Sequence, residues 1–301
     1  MDKHQLLSTG GLSLDRLQNF CRVAERGSLS KAAEGDLGKQ SLYSRQIREL
    51  EEFFGVELKR RQGTGFVITD AGRKLAQLTR ASLAGLDDFR REAKKIPKRL
   101  AIAAGNSVLE WVLLPKIAWL RHALPNTSLQ FFSERSDPIV TQLIDMTIDI
   151  GLVREDAVRP PLKTIRLFAI GYSLFIPRVL ARGILPTNLK SRIADIPIAT
   201  SVGGQFRESL TQAAAVAKWP LKIVLACSSF TQAARAMRAG DCAAVLPDIA
   251  VRDLDNREFA QMSLPFLRGK HRQMCLAWNP RLAEVRPFLL SAVQAIRSAT
   301  Q

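Results

Sequence analysis

Between residues 28 and 61 the chain collects side chains suited to gripping and reading a nucleic acid. Gln40, Ser41, Ser44, Arg45 and Arg48 form one compact group. Glutamine can hydrogen-bond adenine through two atoms, and arginine can do the same to guanine. Positions 41, 44, 45 and 48 recur at a spacing that shares one face of a helix. Ser28, Ser30 and Lys31 come just before, where hydroxyls, free N–H groups at a helix start and a cation can meet a phosphate. Arg61 follows in the run KRRQGTGFVIT, placed to enter a narrow A·T-rich minor groove. Catalytic groupings are missing. There is no HExxH, GxSxG or phosphate-loop pattern, and the histidines at 4, 122 and 271 stand far apart. No catalytic residue, metal site or cofactor is expected. Cys21, Cys227, Cys242 and Cys275 are scattered without a CxxC pair, against a thiol zinc site or a disulfide framework. Cys227 and Cys242 are the one pair suited to a redox switch, and nothing cationic near them in sequence predicts a reactive thiolate.

Reader residues need a rigid helix that projects from a small core. Leu14, Leu17, Phe20, Cys21 and Ala24 recur at helical spacing, and Gly27 is a natural stop. Ser28 or Ser30 can cap a short second helix beginning SKAAE. Gly35 and Gly38 bracket a turn, and a third helix runs from about Gln40 to Phe54 with Leu42, Ile47, Leu50, Phe53 and Phe54 on its apolar face. Two helices joined by a tight glycine-containing turn are a helix-turn-helix signal. Two short β-like runs around Gly63-Thr64-Gly65 then predict a hairpin wing carrying Lys59, Arg60 and Arg61 on its first arm. From Asp70 to Ile96 no proline intervenes, and Leu75, Leu78, Ser82, Leu86, Phe89, Ala93 and Ile96 trace one narrow stripe. Such a helix buries its stripe most simply against a second copy.

Beyond Pro97, apolar runs of strand length alternate with helical segments. The runs are 99–104, 128–132, 148–153, 172–177, 196–200, 222–227, 243–247 and 273–278, with helices over 108–122, 136–146, 204–217 and 229–239. The alternation predicts an α/β architecture with mainly parallel sheets. A chain of 301 residues suits two domains, one divided into lobes. No apolar run reaches the roughly 18–20 residues of a membrane span, and residues 1–13 read as a short flexible tail without a secretory signal. A cytoplasmic protein without a membrane partner is the expectation. The formal charge of +16 is a poor guide to the nucleic-acid site. Residues 1–70 carry 11 basic against 10 acidic groups, whereas residues 161–301 carry 19 against 8. High pI alone supports a polyanionic partner only weakly.

The first 60 residues after Ser13 resemble the LysR-type transcriptional regulator family. The matching pieces are Phe20, Val23-Ala24-Glu25, Gly27-Ser28-Leu29-Ser30, Ala32-Ala33, Gln40, Ser44-Arg45-Gln46-Ile47, Leu50-Glu51, Gly55, Leu58, Arg61 and Thr69-Asp70-Ala71-Gly72. Two departures stand out. Asp36 and Gly38 occupy positions usually apolar, so Leu37 is expected to fill the core instead, and Lys59 replaces a frequent aromatic. The resemblance continues through RLAIAAGNSVLEWVLLPKI, IVTQLIDMTIDIGLVRED and AMRAGDCAAVLP. It implies a winged helix-turn-helix over 14–70, a linker and dimerisation helix over 71–97, and a two-lobed effector domain over 98–301 like a periplasmic binding protein. Lobe one is expected at about 98–165 and 266–301, lobe two at about 166–265. Partners implied are double-stranded DNA, a small-molecule effector and further copies of the chain, as a homodimer that pairs into a homotetramer. An enzyme, or a sensor that never touches DNA, fits the head poorly.

In such a fold, ligands sit at the carboxyl ends of the strands. That places Asn106 and Ser107, Ser133, Arg135 and Ser136, Thr200 and Ser201, and Ser229 and Phe230 around a cleft, with Arg154 closing strand 148–153. Serines before helices also serve simply as caps. Hydroxyls, helix-start N–H groups and two arginines suit a small anionic effector such as an organic acid.

Overall fold

A computed structural model describes residues 12–63, 65–201 and 205–300. Most of the expected tail, and Thr64 of the wing turn, lie outside the described residues. The head is α1 (Leu14–Arg26), α2 (Leu29–Ala32), α3 (Leu37–Phe54) and the hairpin β1 (Lys59–Gln62) and β2 (Gly65–Ile68). Local chemistry sets its boundaries. Ser13 caps α1 and Gly27 ends it in a left-handed conformation. The Ser28 side chain accepts from the Lys31 amide at the start of α2. Phe20, Val23, Ala33, Tyr43, Ile47, Leu50 and Leu58 close the core.

The turn before α3 differs from expectation. Asp36 caps the helix by accepting from the Lys39 amide at 3.0 Å, so α3 begins at Leu37 and Gly38 lies in its first turn. Glu34 and Gly35, both at positive φ, make the actual bend. Leu37 does not fill the core: it is 77% exposed, whereas Ala33 and Tyr43 are buried. An Asp cap fixes the helix start, and the added turn of helix leaves the Leu37 side chain outward.

The linker helix is α4 (Asp70–Ala93), capped by Thr69. Its first turn crosses the wing so closely that a Cβ on Gly72 would lie 2.2 Å from the Leu58 carbonyl oxygen. One face, including Ala76, Thr79, Asp88 and Arg91, is buried on the same chain. The predicted stripe lies on the other face. Leu78, Leu86 and Phe89 are exposed, Phe89 by 73%.

The remainder forms two five-stranded sheets. Their elements, in chain order, are β3 (Lys98–Ala104), α5 (Asn106–Val108), α6 (Ile117–Ala123), β4 (Thr127–Ser133), α7 (Ser136–Ile144), β5 (Ile150–Arg154), β6 (Lys163–Ile170), β7 (Tyr172–Pro177), α8 (Leu189–Arg192), β8 (Ile198–Ser201), α9 (Gln205–Val216), β9 (Ile223–Cys227), α10 (Phe230–Arg238), β10 (Ala243–Pro247), β11 (Phe259–Ser263), β12 (Arg272–Trp278), α11 (Pro280–Val285) and α12 (Phe288–Thr300). The first sheet has the order β4-β3-β5-β12-β6 and the second β11-β7-β10-β8-β9. The sheets are mixed, not mainly parallel. β12 runs antiparallel to β5 and β6, and β7 antiparallel to β10 and β11. The chain crosses between sheets twice, at Gly171 and between β11 and β12, and the strand after each crossing runs antiparallel to both its neighbours. β6 and β11 were not among the expected strands, and the expected lobe boundary at 165 falls inside β6, which stays in the first sheet to Ile170.

The first-sheet unit is bolted to α4. Arg286, between α11 and α12, donates from Nε to Asp88 of α4 at 2.7 Å, from Nη2 to the Arg99 carbonyl at 2.6 Å, and also pairs with Asp149. All three charged residues are buried. Burial works against the Arg286 charge, but the Asp88 hydrogen bond and the two carboxylate charges outweigh it and hold its pKa above the usual value. Among the described residues, no helix is long and apolar enough to cross a membrane.

Candidate nucleic-acid interface and ligand cleft

The outer face of α3 presents Ser41, Arg45 and Arg48 to solvent, with Gln40 and Ser44 half-buried beside them. The opposite face anchors the helix through Tyr43, Ile47 and Leu50. Arg45 stands 3.8 Å from Glu49, and its side chain is 70% exposed. An exposed pair one turn apart contributes only about 0.3–0.5 kcal/mol, so the guanidinium can leave it for a stronger partner. Ser30 and Lys31 are exposed on α2, while the Ser28 oxygen already caps that helix. On the wing, Arg61 is exposed. Lys59 instead sits 6.0 Å over the Phe66 ring, and Arg60 lies 3.9 Å from Glu57.

A second concavity of about 710 Å³ opens between the two sheets. Of the expected residues, Asn106, Ser107, Ser136, Arg154, Ser201, Ser229 and Phe230 line it, as do Ser133 and Arg135. Thr200 does not. It is fully buried, and its hydroxyl has no partner among the described residues. Alternation along β8 turns Thr200 inward and leaves Ser201 at the cleft.

Among the lining residues that were not legible in the sequence are Tyr172, Phe206 and Arg272. Tyr172 opens β7 and Arg272 opens β12, the two strands that follow the crossings. Their rings and charge meet only because both crossings end at the cleft. Tyr172 stacks on Phe206 at 4.2 Å, and Phe206 meets Phe230 edge-on at 5.0 Å. These rings form an aromatic wall on the second-sheet side. The Arg272 guanidinium lies 5.8 Å over the Tyr172 ring. Burial pushes the Tyr172 phenol above its ordinary pKa, so it stays a neutral donor.

Polar groups complete the opposite wall. The Arg154 amide donates to Ser136 Oγ at 3.0 Å, and its guanidinium lies 3.5 Å from Asp137 and 3.3 Å from Asp156. Arg272 and Arg135 have no ion pair among the described residues, and with Arg154 they outnumber the lining carboxylates Glu134 and Asp137 by three to two. Beside the cleft one bond joins the two sides: the Thr231 hydroxyl of α10 donates to Asn106 Oδ1 of α5, and Ser229 Oγ lies 2.9 Å from Thr231. The cysteines offer no comparable chemistry. Burial raises the thiol pKa of both Cys227 and Cys242, opposite to a reactive thiolate. No group of histidine, cysteine and carboxylate suited to a metal occurs among the described residues.

Comparison with known proteins agrees with this two-part organisation. Residues 14–73 match the family model "Bacterial regulatory helix-turn-helix protein, lysR family", and residues 94–297 match "LysR substrate binding domain". The chain is 28% identical over 178 residues to the HTH-type transcriptional regulator PtxR of Pseudomonas aeruginosa, covering 56% of this chain and 57% of that one. It spans about half the length of the curated relatives it matches first, such as 48% of the Escherichia coli regulator YeiE. Similar folds include ArgP from Mycobacterium tuberculosis, at 18% identity and a TM-score of 0.66 over 96% of this chain and 98% of that one. Full-length CbnR bound to its target DNA superposes with a TM-score of 0.56 at 20% identity, over 96% and 100% of the two chains.

Proposed function

The chain belongs to the LysR family of bacterial DNA-binding transcriptional regulators, and from that premise we propose a sequence-specific regulator controlled by a small organic anion. In this reading α3 enters the major groove with Gln40, Ser41, Ser44, Arg45 and Arg48 toward the bases. Ser28, Ser30 and Lys31 hold phosphate, and Arg61 enters the flanking minor groove. The wing and α3 are each too small to bind tightly alone, so two heads must act together.

The exposed stripe on α4 supports a homodimer, with pairs of dimers forming a tetramer. A Phe89→Glu substitution places a charge in the centre of that stripe. It is expected to shift the protein to monomer at micromolar concentration in analytical ultracentrifugation, since an unpaired charge cannot be buried cheaply. An unchanged oligomer would remove α4 from the interface.

Arg272 is the observation that carries the effector reading. A cation in a partly closed cleft, with a ring beneath it and no ion pair among the described residues, attracts an anion. Hydroxyls and amides at the starts of α7 and α10 offer further donors. The wall formed by Tyr172, Phe206 and Phe230 suits a flat apolar body on that anion. A charge-assisted hydrogen bond is worth about 1.5–3 kcal/mol. Arg272→Ala is therefore expected to weaken binding of small carboxylates roughly 10- to 100-fold, read by calorimetry with benzoate and succinate and with benzamide as the neutral control. Benzamide binding as tightly as benzoate, or carboxylate affinity unchanged in the variant, would count against an anionic effector.

A further inference from the structure

Helix α7 touches the effector cleft at one end and the linker helix α4 at the other. At its N-terminus, Ser136 accepts the Arg154 amide and Asp137 faces the Arg154 guanidinium, and all three residues line the cleft. The helix then rises about 14 Å over its nine residues. At its C-terminus the Asp145 carbonyl accepts from Arg80 Nη1 of α4 at 2.8 Å, and the Asp145 carboxylate accepts from Gln77 at 3.5 Å. A guanidinium here satisfies an orphan carbonyl and complements the negative end of the helix dipole. The same Arg80 donates from Nη2 to the Cys21 carbonyl of α1 at 3.5 Å.

From Cys21 the contacts continue to the reading helix. Asn19 of α1 donates to Gln46 of α3 at 2.9 Å, and Arg16 pairs with Glu49 at 2.7 Å. Glu49 is also the neighbour of Arg45. Meanwhile Arg286 holds the first-sheet unit to Asp88, about 12 Å further along α4. Two attachments to one helix prevent that unit from pivoting freely on it. A change at the cleft therefore reaches α4 through the first-sheet unit that carries α7.

We propose that Arg80 is the positioning residue that couples the effector cleft to the DNA-binding head, with α7 as the rod between them. The proposal rests on the cleft being the sensing site. Contiguous contacts alone do not prove coupling, which is a free energy shared by two sites. A double-mutant cycle measures it directly.

The perturbation at the cleft is Thr231→Val, which keeps the side-chain shape and removes the hydroxyl that bridges to Asn106. At the joint, Arg80→Gln is made, and also Arg80→Lys, which keeps the charge but has one nitrogen and cannot span both carbonyls. Affinity is read by fluorescence anisotropy on a duplex selected from a random library by the parent protein. Hydrogen exchange of α1 amides is followed in the same proteins, so that an unfolded head is distinguished from an uncoupled one. Thr231→Val is expected to change DNA affinity at least threefold, and to change α1 protection, only while Arg80 is present. An equal change in the Arg80→Gln and Arg80→Lys backgrounds overturns the role of Arg80 and leaves the cleft reading intact. No change in any background overturns the coupling, and with it the cleft as the site that controls DNA binding.

Discussion

Replacing Arg45 with alanine is expected to abolish sequence selection while sparing non-specific binding. A good bidentate contact to a base discriminates by about 1–3 kcal/mol. In a symmetric dimer the loss occurs in both half-sites, so the two copies together remove about 2–6 kcal/mol of discrimination. The structure supports a specific effect because Arg45 is on the outer face of α3 with its side chain 70% exposed. Its contact with Glu49 is weak and exposed. The variant should therefore fold, dimerise and keep its salt dependence. That slope reports phosphates neutralised, at about −0.9 per phosphate, and a base contact contributes nothing to it. Arg61→Ala offers the contrast, since a minor-groove arginine senses the local potential and its loss should act mainly on A·T-rich flanks. Genome-wide capture with purified protein measures both. Enrichment of a two-fold-symmetric site by the parent, lost in Arg45→Ala, is the expected result. Equal enrichment by the two proteins would remove α3 as the reader and shift attention to the basic second half.

Arg286→Met should be the most destabilising single change in the effector domain. It leaves Asp88 and Asp149 facing each other in the interior without the guanidinium that both contact. Breaking a buried ion cluster from one side costs about 3–5 kcal/mol, because the remaining charge stays buried. The pH dependence gives a sharper test. Burial already pushes the Asp149 carboxyl above its ordinary range, against the pull of Arg286 and of the Ala101 amide. Without Arg286 that carboxyl rises further above its unfolded value of about 3.9. A carboxyl whose folded pKa is raised contributes stability that is full below the unfolded pKa and lost as pH rises through the folded one. Urea denaturation of Arg286→Met is thus expected to show greater stability at about pH 5 than at about pH 8. An Asp149→Asn change in the same background should remove that slope. A midpoint equal to the parent, or one that rises with pH, would show that the cluster is not what fastens α4 to the first sheet.

Much of the head was legible because its signals are local. Ser13, Asp36 and Thr69 cap helices through bonds three residues away, and Gly27 and Gly55 end them. The error at Leu37 has the same scale. In sequence Asp36 stands out as a departure within a turn, whereas in the structure it is the cap that starts α3 one turn earlier. Strand ends were legible wherever a glycine or serine marks a helix start, which is how Asn106, Ser107, Ser136, Ser201 and Ser229 were found. Thr200 was misplaced because one position along a strand reverses the facing direction.

What the sequence determined by itself is therefore the family, the order of parts, the polar outer face of α3 and the stripe on α4. Each is written in caps, periods and motifs that act within a turn or two of chain. Only the tertiary structure decided the aromatic wall, the lone arginine above it, the Asn106–Thr231 bridge and the joints at Arg80 and Arg286. Tyr172 meets Arg272, and Asp88 meets Arg286, across 100 and 198 residues of chain. No local pattern marks such pairs, because their partners are chosen by where two crossing strands and one long helix happen to pack.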